Sequence, residues 1–145
     1  MSNIGIPPWL IWALLSAIFA ALTAIFAKLG VERVDSDLAT FLRTLVIAAV
    51  LGLVLFISGK LQPATRIGPR TWAFLIASGL ATGASWFCYF RALKVGDAVR
   101  VAPIDKLSVV FVAIIGVALL GENLPLRGWA GIALIAAGAA LVATA

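Results

Sequence analysis

Trp72-Ala-Phe-Leu-Ile-Ala-Ser78-Gly79-Leu-Ala-Thr82-Gly-Ala-Ser85-Trp86-Phe-Cys-Tyr89-Phe90 is a run of 19 residues without an acidic or basic side chain. As a helix rising 1.5 Å per residue it covers about 28 Å, close to the roughly 30 Å hydrocarbon core of a bilayer. Its polar members recur in steps of four, three and four: Ser78, Thr82, Ser85 and Tyr89. That spacing predicts one helical face, bordered by Gly79 and Trp86. Hydrocarbon does not reward a hydroxyl stripe, so the face should look at protein or water. Two readings follow: the wall of a wet cavity, or a helix–helix contact joined by hydroxyls.

Four further segments share the length and character of this one: Trp9–Ala27, Leu38–Ile57, Val101–Leu120 and Leu126–Thr144. The 145-residue chain is 63% hydrophobic and 12% charged. A soluble domain has about 45–50% apolar and about 25% charged residues, so a soluble fold is excluded. The expectation is an all-α integral membrane bundle of five transmembrane helices, forming one domain over residues 1–145. Five crossings put the two ends of the chain on opposite sides of the bilayer. So small a bundle can hardly enclose a substrate path alone, and the chain reads as half of a larger assembly. Residues 1–8 carry no side-chain charge. The first apolar segment also exceeds the 7–15 residues of a signal-peptide core, so it is read as a mature helix started by Pro7 and Pro8.

The formal net charge is +5, with the basic residues mostly at segment ends. That placement suits anionic lipid headgroups, and no basic run interleaved with aromatics points to nucleic acid. The chain has no histidine and a single cysteine, Cys88. Zinc sites, Ser-His-Asp triads and Cys-His pairs fall away, and Cys88 is read as a small apolar filler. No nucleophile–base pair is visible, so neither an enzyme nor a cofactor is expected.

The connectors follow from turn chemistry. Lys28 and Gly30 close the first helix, and Ser36 or Asp37 can cap the second. Ser58-Gly59-Lys60 ends the second helix, and two prolines and a glycine keep residues 60–71 out of helix. Gly96-Asp97 marks a turn, and Gly121-Glu122-Asn123-Leu124-Pro125 links tightly to the fifth segment. That segment carries Gly128, Gly131, Ala133, Ala136, Ala137, Gly138 and Ala140. Small residues at such spacing make an association face for another helix of this chain or of a second copy.

Three charges lie inside the apolar segments: Arg43 in the second, Asp105 and Lys106 in the fourth. Each costs about 2.5–3.5 kcal/mol at mid-membrane and less near the interface. All three enter from the side that Lys28, Arg91 and Lys94 also ring. They either snorkel to headgroups, with Asp105 as an ion-pair partner, or line the mouth of a polar cavity. Asp105 and Ser108, three apart, share a face. Lys106 diverges from Asp105 by about 100° of helical turn, so the two are not expected to converge. Asp105 should be paired with Arg43 or Lys106, of its own or a second copy. Pro103 either removes a helical hydrogen bond or sits in the first turn.

Phe26-Ala-Lys28, Phe41-Leu-Arg43, Tyr89-Phe-Arg-Ala-Leu93, Val101-Ala-Pro103 and Leu120-Gly-Glu122, with Gly128 and Gly131 following, come in an order that resembles one EamA-type repeat of the drug/metabolite transporter superfamily. The resemblance spans nearly the whole chain, but as one repeat where most members carry two in inverted orientation. It implies transport of small metabolites or drugs by alternating access, with substrate held between two repeats. The related small multidrug resistance exporters use a carboxylate in the middle of their first helix. Trp9–Ala27 has none, which weakens a quaternary-ammonium substrate, although Trp12, Trp86 and Tyr89 could hold a cation on their ring faces. The excess of Arg and Lys around one vestibule favours an anionic group on the substrate. Glu122 is read as a group that fixes its turn.

The combined expectation is a multi-pass inner-membrane transporter of a small molecule. It would work as an antiparallel homodimer associating through the fifth helix (Gly128, Gly131, Ala133, Ala137, Gly138). The alternative is a non-transporting subunit or a partner for a second half-size protein. The substrate cavity would draw on Arg43, Ser78, Thr82, Ser85, Trp86, Tyr89, Asp105, Lys106 and Ser108. Short-loop Lys and Arg set orientation. One side has five (Lys28, Arg33, Arg91, Lys94, Arg100) and the other four (Lys60, Arg66, Arg70, Arg127). So even a balance predicts insertion in both orientations. Assigning Arg43 and Lys106 to the first side makes it seven against four and favours an outside N-terminus.

Overall fold

A computed structural model describes residues 7–63 and 67–145. Arg66, one of the cations in the orientation balance, and residues 1–6 of the expected uncharged start lie outside the described residues. Six helices follow in order: α1 Pro8–Val31, α2 Ser36–Ile57, α3 Pro69–Val95, α4 Ala98–Asp105, α5 Ser108–Leu120 and α6 Leu126–Thr144. No strand occurs among the described residues. Among the described residues, five stretches are long and apolar enough to cross a membrane, with α4 and α5 together making the fourth, Ala98–Leu120.

The boundaries show what local chemistry decided. Pro69 opens α3 three residues before the expected Trp72, because a proline at the first helical position gives up no needed N–H. The cap of α2 is Asp35, not Ser36 or Asp37: its carboxylate accepts from the N–H groups of Asp37 (2.9 Å) and Leu38 (3.1 Å). After α2, Gly59 takes φ +64°. The Lys60 and Gly59 N–H groups then reach back to the carbonyls of Leu55 and Phe56, closing the last turn.

The fourth segment differs from the single helix Val101–Leu120. It begins at Ala98, so Pro103 lies inside α4 and is not in a first turn. Proline cannot donate to the preceding turn, and the ladder tightens just after it. The N–H groups of Lys106, Leu107, Val109 and Val110 bond to carbonyls three residues back. This 3₁₀-like stretch separates α4 from α5.

The chain forms two compact units. One comprises the described residues up to Ala27 together with Gly96–Ala145, and the other is Lys28–Val95. In the first unit α6 packs on α4 and on α5. In the second, α2 and α3 pair as an antiparallel hairpin, and Val31, Phe90 and Leu93 are buried at one end of it. Burial is otherwise sparse, and α2 has no buried residue at all. Phe56 and Leu80 are more than two-thirds exposed. Such sparse burial fits a bundle whose solvent is hydrocarbon.

Candidate functional site

The hairpin of α2 and α3 is closed at one end by charge. Arg91 donates through Nε to Asp37 Oδ1 (3.2 Å) and through Nη2 to Asp37 Oδ2 (2.9 Å), a two-point fit of guanidinium to carboxylate. The same guanidinium lies 4.0 Å from the Phe87 ring centroid. Two lysines cap each other's helices. Lys28 near the end of α1 donates to the carbonyl of Leu93 near the end of α3 (2.9 Å). Lys94 donates to the carbonyls of Val31, Glu32 (3.2 Å) and Val34 (3.0 Å) where α1 ends. Both ammonium groups thus meet carbonyl ends of helix dipoles, where positive charge is favoured.

Beyond this knot the hairpin opens into a groove of about 440 Å³. From α2 it is lined by Thr40, Arg43, Thr44 and Ile47, and from α3 by Leu75, Ser78, Gly79, Thr82, Gly83 and Trp86. Arg43, half-buried, lays its guanidinium on the Trp86 ring, with Cζ 3.5 Å from the centroid. Phe90 stands further off at 5.7 Å. Tyr89 and Phe90 each set a ring against Trp86 at a steep angle, with centroids 5.5 and 5.9 Å away, which fixes the plane on which the arginine rests. No described residue gives Arg43 a hydrogen bond or an ion pair, and five N–H donors stay available. The hydroxyls of Thr40, Thr44 and Thr82 each donate 2.8 Å to a carbonyl one turn back in their own helix. They therefore offer methyl groups and lone pairs to the groove.

The other unit holds the remaining charges. Lys106 Nζ reaches Asp105 Oδ2 at 2.9 Å, so the two do converge, against the expectation from helical angle. The four-carbon lysine stem swings the ammonium back across the turn that the 100° step opens. Ser108 is exposed at the start of α5. Where α5 ends, Gly121 takes φ +69°, and the Glu122 side chain folds over Gly116. A Cβ at Gly116 would lie 2.8 Å from Glu122 Oε2. Gly128 similarly makes room for the Leu124 side chain.

Of the cavity residues expected from sequence, Arg43, Ser78, Thr82 and Trp86 meet in the groove. Ser85 does not line it, and Tyr89 supports it through the Trp86 ring. Asp105, Lys106 and Ser108 belong to the unit of α4, α5 and α6. Thr40, Thr44 and Ile47 were not singled out from sequence, although their spacing with Arg43 already puts them on one face of α2. A face reading of α3 centred on Gly79, Thr82 and Trp86 reaches Leu75 and Gly83 too.

Five apolar helices and a groove with a charged head and apolar walls define a multi-pass membrane protein with a place for a small molecule. The chain belongs to the EamA-like transporter family, whose sequence profile matches residues 7–144. It is 61% identical over 135 residues to a Sinorhizobium sp protein described as an uncharacterized transporter in the cobO 3' region. The match covers 93% of this chain and 96% of that relative, so the relative too has the length of one repeat. No solved structure matches the chain. Family and relative together point to transport rather than catalysis.

Proposed function

We propose that the chain is an inner-membrane transporter that moves a small metabolite or drug by alternating access, as an antiparallel homodimer whose two copies supply the inverted pair of repeats. The observation that carries this reading is the α2–α3 groove: a half-buried arginine held on an aromatic ring, with no hydrogen-bond or ion-pair partner among the described residues. A bundle built only to support another protein gains nothing from keeping such a charge at membrane depth. Association through α6 rests on Ala133, Ala137 and Gly138, which are exposed, and on Gly131, which has open space where a Cβ would stand. Close approach of a second helix needs such small residues.

Reconstitution into liposomes tests the reading. The purified protein alone should support counterflow of at least one compound that stabilises it in a thermal-shift screen of metabolites and drugs, since a bound ligand stabilises by mass action. Activity that requires a second, different polypeptide would replace the homodimer with a hetero-assembly. Stabilising ligands without any counterflow would leave a binding subunit.

A further inference from the structure

We infer that the α2–α3 groove takes an organic monoanion, with a carboxylate on the Arg43 guanidinium and an apolar body lying over Gly79 and Gly83 toward Ile47 and Leu75. This assigns a substrate class to the site of the proposed transporter and rests on that reading. The cations around this hairpin explain the choice. Lys28 and Lys94 are engaged by carbonyls and Arg91 by Asp37. Arg43 alone among the groove residues is charged, and its five donors are uncommitted to any described residue. The guanidinium is held against Trp86, with Cζ 3.5 Å from the ring centroid, and a guanidinium offers the paired donors that a carboxylate fits at two points. The Ser78 hydroxyl, which makes no hydrogen bond with any described residue, is a second donor in the groove.

The same geometry argues against other ligands. A quaternary ammonium would need an aromatic face, and the chain's own arginine already covers Trp86. A dianion would bring a second charge that no groove residue neutralises, at a high desolvation cost. The body must be apolar because the rest of the lining is Ile47, Leu75, two glycines and threonines whose hydroxyls are bonded to their own helices. It has room there: nothing lies within 4 Å of a Cβ built on Gly79 or Gly83.

An anionic lipid headgroup offers the same chemistry to Arg43, so the test separates the two sources. The protein is placed in nanodiscs of phosphatidylcholine alone and thermally unfolded with benzoate, 3-phenylpropionate and octanoate, their uncharged amides, and phthalate. A monocarboxylate should raise the midpoint where its amide and the dianion do not. Arg43→Gln should weaken that carboxylate by about tenfold to a hundredfold, the range for a charged hydrogen-bonding group. Gly83→Leu keeps the Arg43 charge, fills space that is open around a Cβ at that position, and should weaken it as well. Carboxylates no better than their amides, or a response unchanged in Arg43→Gln, would overturn the inference. So would phosphatidylglycerol discs that reproduce the stabilisation and abolish the carboxylate effect, which would give Arg43 to a headgroup. Counterflow keeps this apart from the transporter reading. Undiminished transport of an uncharged or cationic compound by Arg43→Gln removes the anion and leaves the transporter. Carboxylate binding without counterflow does the reverse.

Discussion

Arg43 and Trp86 form a pair in which each partner sets the other's position. A cation over an aromatic face contributes about 0.5–1 kcal/mol when exposed and about 2 kcal/mol when desolvated. A double-mutant cycle of Arg43→Gln and Trp86→Leu, read by thermal unfolding in detergent, should return a coupling within that range. A coupling near zero would mean that the arginine does not rest on the ring in solution. Two smaller effects belong to turns. Asp35→Ala removes both hydrogen bonds that start α2 and should destabilise by about 1 kcal/mol. Gly121→Ala forces a Cβ into left-handed backbone at φ +69° and should cost roughly 1–2 kcal/mol, with Gly121→Asn milder. Unfolding midpoints of these variants decide both.

At the scale of the element, the break after Pro103 is the feature most open to test. Pro103→Ala restores a donor to the interior of α4, where proline is about 3 kcal/mol less favourable than alanine. The variant should have a higher thermal midpoint and slower amide exchange at Lys106 and Leu107, as the tightened turn relaxes into one continuous helix. Unchanged exchange there would show that something other than the proline sets the break. This element also shows where sequence reading stops. Apolar length alone identifies five spans, because a bilayer accepts little else. A proline inside such a span has two local outcomes of similar cost, and only the hydrogen bonds around Lys106 distinguish them. The groove was partly legible for a related reason. A polar residue in an apolar run is conspicuous, so Arg43, Ser78 and Thr82 stand out. Gly79 and Gly83 act by what they leave empty, and the phase of α3 against α2 depends on long-range contacts such as the Arg91–Asp37 bridge, whose partners lie 54 residues apart in sequence. The same limit hid the Asp105–Lys106 pair, since helical angle says where a side chain leaves the backbone and not where a long one ends.

For the whole molecule, orientation in the bilayer has the plainest experiment. The nearly even Lys and Arg content of the two sets of connectors should let the chain insert both ways. C-terminal fusions to a reporter active only in the cytoplasm and to one active only outside should then both give signal. One clean orientation, with parallel crosslinks between copies through α6, would replace the proposed antiparallel dimer with a parallel one. The reciprocal lysine caps bear on an earlier moment, the birth of the chain. Lys28 finds its carbonyl 65 positions further along, on Leu93. A ribosome adding 5–20 residues per second needs roughly 3–13 s to make that stretch. Until then neither the Lys28–Leu93 bond nor the bonds from Lys94 to Val31, Glu32 and Val34 can form. This end of the hairpin therefore closes late in synthesis, and a chain arrested before residue 93 would lack both lysine caps.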